Sequence, residues 1–83
     1  MTQSTPPTLP TVDQVQVEIS QLMQFFTWEH LPQHLQAVSI PFGQLAAHLV
    51  EQVQPNSQLL SSLQSLLVSK DAAVRARLLQ MQV

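Results

Sequence analysis

A helical hairpin is encoded by the stretch that begins Phe26-Thr27-Trp28-Glu29-His30-Leu31-Pro32, turns at Pro55-Asn56-Ser57 and ends Lys70-Asp71-Ala72-Ala73-Val74-Arg75. Pro55 cannot extend the helix before it, and Asn56 or Ser57 can cap the helix after it. A connection this short makes the two helices antiparallel neighbours. We therefore predict hairpin helices over residues 32–53 and 57–82, entered through an aromatic turn over residues 26–31.

Apolar residues recur at steps of three and four along the first predicted helix, and at steps of three, four and seven along the second. In the first helix they are Leu35, Val38, Phe42, Leu45, Leu49 and Val53, and in the second they are Leu60, Leu63, Leu67, Val74, Leu78 and Met81. This spacing gives each helix an apolar face. Leu59 and Leu66 widen the second face beyond what one partner helix covers, which indicates a further contact surface and a symmetric homo-oligomer.

Two positions interrupt the pattern of the first hairpin helix. Pro41 either kinks one long helix or begins a second helix with Ser39 as its cap, and we favour the kink. Gly43 follows shortly after and is the only glycine of the chain. It either lets another backbone or a ligand approach closely or simply relieves crowding.

The residues ahead of the hairpin divide into a tail and a helix. Prolines at positions 6, 7 and 10 remove backbone donors, so residues 1–10 are predicted to be a disordered tail. Over residues 11–25 the spacing of the apolar residues predicts a helix whose apolar face packs on the hairpin or on another subunit. Thr11 and Asp13 offer oxygens that could cap it. Residues 11–83 are therefore predicted to form a single all-α domain.

The chain is short and carries few charges. Its 83 residues include no cysteine, so disulfides cannot stabilise so small a core and oligomerisation is expected instead. Charged residues make up 10% of the chain, and its 3 cations cannot neutralise a run of duplex phosphates, which argues against duplex nucleic acid as a partner. No apolar run approaches the length of a membrane-spanning helix. We therefore expect a soluble cytoplasmic protein with no membrane partner.

Nothing in the sequence has the pattern of a catalytic or metal site. Serines are frequent but lack the strained glycine turn that presents a nucleophile, and a single glycine cannot form a phosphate-cradling loop. His30 and His34 are spaced as two helical metal ligands, but Pro32 lies between them and no third strong ligand is near. We predict that the protein is not an enzyme and holds neither a metal nor a cofactor.

Five residues are candidates for binding a ligand. Phe26 and Trp28 could offer a stacking platform for a nucleobase, or Trp28 could simply cover the open end of the hairpin. Lys70, Arg75 and Arg77 are all the cations of the chain and lie in its last quarter. They form either a solvated face or a phosphate clamp assembled from several subunits.

Residues 26–79 resemble the hairpin domain of a family of small phage proteins, the anti-CBASS and anti-Thoeris cyclic-nucleotide sponges. The resemblance rests on Phe-Thr-Trp followed by Leu-Pro, on Leu45-Ala46 and Leu49-Val50, on the turn Pro55-Asn56-Ser57 and on the closing Ala-Ala-Val-Arg-Ala. It implies a helical homo-oligomer, with a hexamer favoured, in the cytoplasm of the bacterial host cell. It also implies an anti-defence function, in which cyclic di- or trinucleotide immune signals are sequestered between subunits without being cleaved.

The resemblance further implies which residues bind the ligand. Trp28, or Phe26, matches the aromatic position of the family, and Arg75 matches an arginine late in the second hairpin helix. The family tends to carry a lysine in its first hairpin helix, whereas this chain has Gly43 and Gln44 near that place. The expected ligand-binding residues are Phe26, Trp28, Lys70, Arg75 and Arg77.

Two other functions fit the same residues. A helical protein-interaction or assembly module would bind a partner protein through the leucine stripe. A structural subunit of a virion or assembly complex would associate in an open rather than a closed arrangement. The orientation of the cations between residues 70 and 77 distinguishes a nucleotide sponge from a protein-interaction module, because only the sponge needs them to face a pocket.

Overall fold

The computed structural model describes residues 12–81 and contains three α-helices and one short 3₁₀ turn within that range. The helices are α1 (Val12–Met23), α2 (Gln33–Gln52) and α3 (Ser57–Gln80), and the 3₁₀ turn (Gln24–Phe26) follows α1 directly. No strand occurs among the described residues, so the predicted all-α class is confirmed. The predicted tail over residues 1–10 and the proposed cap Thr11 lie outside them.

The turn between α2 and α3 is closed by one asparagine. Val53 leaves the helix in an extended conformation while its N–H still donates to the carbonyl of Leu49 at 3.0 Å. Asn56 is the N-cap of α3, since its Oδ1 accepts a hydrogen bond of 2.8 Å from the backbone N–H of Leu59. Such a bond satisfies one of the donors that a helix start leaves unpaired. Of the two candidate caps in this turn, Asn56 is therefore the one that acts.

The start of α2 is fixed by backbone groups of the segment over residues 27–32. Pro32 precedes the helix, and its carbonyl accepts hydrogen bonds from the N–H groups of Leu35 and Gln36 at 2.9 and 3.0 Å. The side chain of Gln36 turns back and donates to the carbonyl of Leu31 at 2.8 Å. The carbonyl of Trp28 accepts from the N–H of Leu31 at 3.0 Å. Hydrogen bonds therefore link the residues of this segment to one another and to the first turn of α2.

Pro41 lies inside α2, which is a single helix from Gln33 to Gln52. A proline cannot donate to the carbonyl four residues earlier, which here belongs to Ala37. Both Pro41 and Ala37 lie on the exposed side of α2, where water can satisfy that carbonyl. Ser39 is fully buried within the helix and its hydroxyl has no hydrogen-bond partner among residues 12–81, so it does not cap a second helix.

The core forms where α1, the 3₁₀ turn, α2 and α3 meet. Its buried apolar residues are Val15, Ile19, Phe26, Ala46, Leu59 and Leu63, and the half-buried residues packed against them are Leu22, Met23, Phe42, Leu49, Leu60, Leu66 and Leu67. The apolar face of α1 is therefore covered by the hairpin of its own chain. Ala46 is 0% exposed at the centre, where a small side chain lets the neighbouring elements come close.

The apolar stripe of α3 extends beyond this core. Leu31, which precedes α2, borders a cavity together with Val74 and Arg75. The last turn of α3 therefore runs past the start of α2, and Leu78, Leu79 and Met81 are 41%, 62% and 54% exposed. Among residues 12–81 no helix has both the length and the apolarity to cross a bilayer.

Asn56→Ala should lower the free energy of unfolding by about 1 kcal/mol, because it removes the oxygen that caps α3. Urea denaturation followed by circular dichroism measures the change. The matched control is Ser57→Ala, whose side chain is exposed and forms no cap. Equal losses from the two substitutions would show that Asn56 has no special role in the turn.

Candidate functional site

The indole of Trp28 lies directly against the backbone of α2 at Gly43. A Cβ atom placed on Gly43 would stand 2.5 Å from Cζ3 and 2.7 Å from Cε3 of Trp28, and 2.6 Å from the carbonyl oxygen of Phe26. Real Cβ atoms do not approach other atoms so closely, so every side chain larger than hydrogen would displace the indole or the turn. Of the two predicted roles of Gly43, close approach is the one observed.

A cavity of about 410 Å³ opens beside the Trp28 indole. Its lining residues are Met23, Phe26, Thr27, Trp28, Glu29, Gly43, Gln44, Ala47, His48 and Glu51. The five residues from α2 share one face of that helix, since they recur at steps of three and four. We call this cavity the indole recess. Its lining includes two carboxylates and neither a lysine nor an arginine, so it combines apolar walls with negative charge.

The two aromatic candidates have different environments. Phe26 is 3% exposed and belongs to the core, although it is also among the residues that line the indole recess. Trp28 is half-buried, so part of its ring is open to the recess. Of the two aromatic residues, Trp28 is therefore the one whose ring a ligand can contact.

Lys70 points inward rather than toward solvent. Only 9% of the residue is exposed, and its Nζ donates a hydrogen bond to the backbone carbonyl of Phe25. The same atom lies 6.0 Å from the centre of the Phe26 ring. Carbonyl groups at the end of a helical turn lack helical partners and carry partial negative charge, which explains why a lysine is stable here. Lys70 thus ties α3 to the turn that precedes Trp28.

The two arginines lie further along α3. Arg75 is exposed and lines a cavity of about 250 Å³ with Leu31, Lys70, Asp71 and Val74. Arg77 is half-buried, and one of its terminal nitrogens, Nη1, donates to Oε1 of Gln80 at 3.3 Å. Its Nε is buried without a hydrogen-bond partner among the described residues.

The structure does not bring all five candidates into one pocket. The indole recess and the cavity beside Arg75 have no lining residue in common. Glu29 and Glu51 line the indole recess but were not among the residues predicted from the sequence. A signal for Glu51 did exist, because it lies eight residues after Gly43 and so returns to the same face of α2.

The histidines do not form a shared site. α2 begins at Gln33, so His30 lies before the helix and the helical spacing with His34 is not realised. Among residues 12–81 no group of three or more histidine, cysteine, aspartate or glutamate side chains is placed to hold a metal ion.

Comparisons with protein-family models, curated proteins and solved structures gave no match for this chain. The chemistry of the site is therefore inferred from its own residues: an indole held over a glycine, an acidic recess beside it, and arginines at the far end of α3.

Gly43→Ala should destabilise the fold, although the same change at an ordinary helical position stabilises by up to about 1 kcal/mol. The reason is the clash with Trp28 and with the Phe26 carbonyl. Chemical denaturation gives the stability, and the emission maximum of Trp28 reports whether the indole has moved into water.

Two variants serve as controls for this test. Ala47→Gly, one turn away on an exposed position, gives the ordinary alanine–glycine difference in α2. Gly43→Ala should lower the free energy of unfolding less when Trp28 is already alanine than when Trp28 is present. A stabilised Gly43→Ala variant with unchanged emission would contradict the close approach.

Proposed function

We propose that this protein is a phage-type anti-defence protein that sequesters cyclic oligonucleotide immune signals between the subunits of a homo-oligomer, without cleaving them. The observation that carries the proposal is the partly open indole of Trp28, fixed over Gly43 at the edge of a cavity of about 410 Å³. A fixed indole offers a π-face on which a base can stack without a further loss of side-chain freedom.

The proposal assigns the phosphates of the ligand to a neighbouring subunit. The indole recess contains two carboxylates and no cation, so it suits a base and repels a phosphate. Arg75 and Arg77 lie on α3, outside that recess. In the proposed complex, a ligand that stacks on Trp28 of one subunit meets the arginines of the next. Lys70, and Phe26 beneath it, support the turn that carries Trp28.

The proposed assembly is a closed symmetric ring, with a hexamer favoured. The exposed apolar side chains at the end of α3, Leu78, Leu79 and Met81, supply a surface that a second subunit can cover. We also propose that α2 bends at Pro41, since the carbonyl of Ala37 has no helical donor there. In this proposal the protein acts in the cytoplasm of the bacterial host cell.

Binding without cleavage agrees with the chemistry of the described residues. The serines of α3 are exposed on its surface, and none of them is hydrogen-bonded to a histidine or a carboxylate among residues 12–81. A serine nucleophile needs such a base beside it. The ligand is therefore expected to be released intact.

Trp28→Ala should weaken the binding of a cyclic dinucleotide roughly ten- to a hundred-fold, because stacking on an aromatic ring is worth about 1–3 kcal/mol per base. Arg75→Ala should weaken it roughly tenfold or more, since a hydrogen bond to a charged group contributes about 1.5–3 kcal/mol. The measurement is calorimetric titration of the purified protein with a panel of cyclic di- and trinucleotides, with linear dinucleotides as controls.

Conservative variants keep this test specific. Trp28→Phe retains a stacking ring and should retain most of the affinity, whereas Arg75→Lys keeps the charge but loses the forked geometry. Size-exclusion chromatography with light scattering checks that each variant keeps the oligomer, and chromatography of the released ligand checks that it is intact. Absence of heat with every cyclic nucleotide, or cleavage of the ligand, would refute the proposal.

A second candidate function is a helical module that binds or assembles with a partner protein. The observation that favours it is the exposed apolar surface of α3, where Val68 and Leu79 are 67% and 62% exposed. In such a module Leu79→Asp should abolish binding of the partner protein and Arg75→Ala should not. In a nucleotide sponge both substitutions should weaken binding of the cyclic nucleotide.

A further inference from the structure

The indole recess has its aromatic surface at one end and a carboxylate at the other. Gly43, Ala47 and Glu51 follow one another at intervals of four along α2 and all line the recess. With a rise of 1.5 Å per residue, Glu51 lies roughly 12 Å along the helix from the glycine beneath the indole. A planar group that stacks on Trp28 and extends along α2 would bring its outer edge toward Glu51.

Neither carboxylate of the recess is bonded to another residue in the part of the chain that the structure describes. Glu29 and Glu51 are both exposed, and among residues 12–81 their carboxylates have no hydrogen-bond or ion-pair partner. No lysine or arginine lines the recess to neutralise them. An ionised carboxylate accepts hydrogen bonds and donates none. The far end of the recess is therefore complementary to a group that presents N–H donors.

Nucleobases differ in the donors that they present at the Watson–Crick edge. Guanine carries N1–H and the exocyclic N2–H side by side, so both oxygens of one carboxylate can accept from it. Adenine presents one amino group beside an acceptor nitrogen, and uracil presents one N–H between two carbonyl oxygens that a carboxylate repels. Paired, charge-assisted hydrogen bonds are stronger and more selective than single ones.

We propose that Glu51 selects guanine in the base that stacks on Trp28, so that the preferred ligands are guanine-containing cyclic oligonucleotides. This inference rests on the proposed function, in which a base occupies the indole recess. Glu29 follows Trp28 directly in the chain and adds charge near the indole, whereas Glu51 meets the outer edge of the base. The two carboxylates therefore have separable effects.

The test uses the fluorescence of Trp28, the only tryptophan of the chain, which a stacked base quenches. The full-length protein is titrated with guanosine and uridine, and separately with cyclic di-GMP and cyclic di-UMP. We expect the unmodified protein to prefer the guanine ligand of each pair. Glu51→Gln should weaken the binding of the guanine ligands roughly tenfold or more, in line with the discrimination of a bidentate contact. It should not weaken the binding of the uracil ligands, because it removes the charge that repels their carbonyl oxygens.

Glu29→Gln is the matched control, because it removes the same charge from the same recess. It should leave the ratio of guanine to uracil affinity unchanged. Equal shifts in both variants would mean that the glutamates act only through their charge, and a protein without guanine preference would equally overturn the inference. Circular dichroism and light scattering confirm that both variants keep the fold and the oligomer.

The nucleosides separate this inference from the proposed function. Glu51-dependent binding of guanosine without binding of any cyclic dinucleotide would keep base recognition and refute sequestration. Binding of cyclic dinucleotides that is insensitive to base identity and to Glu51→Gln would keep sequestration and refute guanine selection.

Discussion

The contact between the Trp28 indole and the backbone of Gly43 determines how the turn between α1 and α2 lies on the hairpin. A single Cβ atom at position 43 would overlap both the indole and the Phe26 carbonyl, so the side chain of residue 43 must be hydrogen. With the turn in this position, Phe26 points into the core and Trp28 faces the recess. The burial of Phe26 and the partial exposure of Trp28 both follow from that one close approach.

Lys70 holds the same turn from the opposite side. Burying an ammonium group without a carboxylate partner is costly, and the Phe25 carbonyl and the Phe26 ring offset part of that cost. Lys70 belongs to α3 and Gly43 belongs to α2, so both helices of the hairpin contact the segment from Phe25 to Trp28. A side chain held in this way is pre-organised, so the proposed stacking of a ligand on Trp28 would cost little conformational entropy.

The hairpin could be predicted from the sequence because its determinants are local. Pro55 and Asn56 carry the turn chemistry, and a period of three and four marks the helices. The burial of each side chain could not be predicted in the same way. Lys70 is charged yet buried, since its long apolar stem lets the amine reach a carbonyl of another element. Leu78 and Met81 continue the apolar stripe yet remain exposed, because α3 runs past the start of α2.

The recess of Trp28 was only partly visible in the sequence for a related reason. Periodicity tells which residues share a helical face, but the face gains a function only from what is folded against it. Glu51 shares a face of α2 with Gly43. Because the indole of Trp28 lies against Gly43, the Glu51 side chain lines the same recess as the indole. The separation of charge follows from the same geometry, since the carboxylates line the indole recess and Arg75 lines another cavity. A ligand with planar bases and anionic phosphates would use the indole recess for a base and the arginines for its phosphates, and in the proposed oligomer these two surfaces come from different subunits.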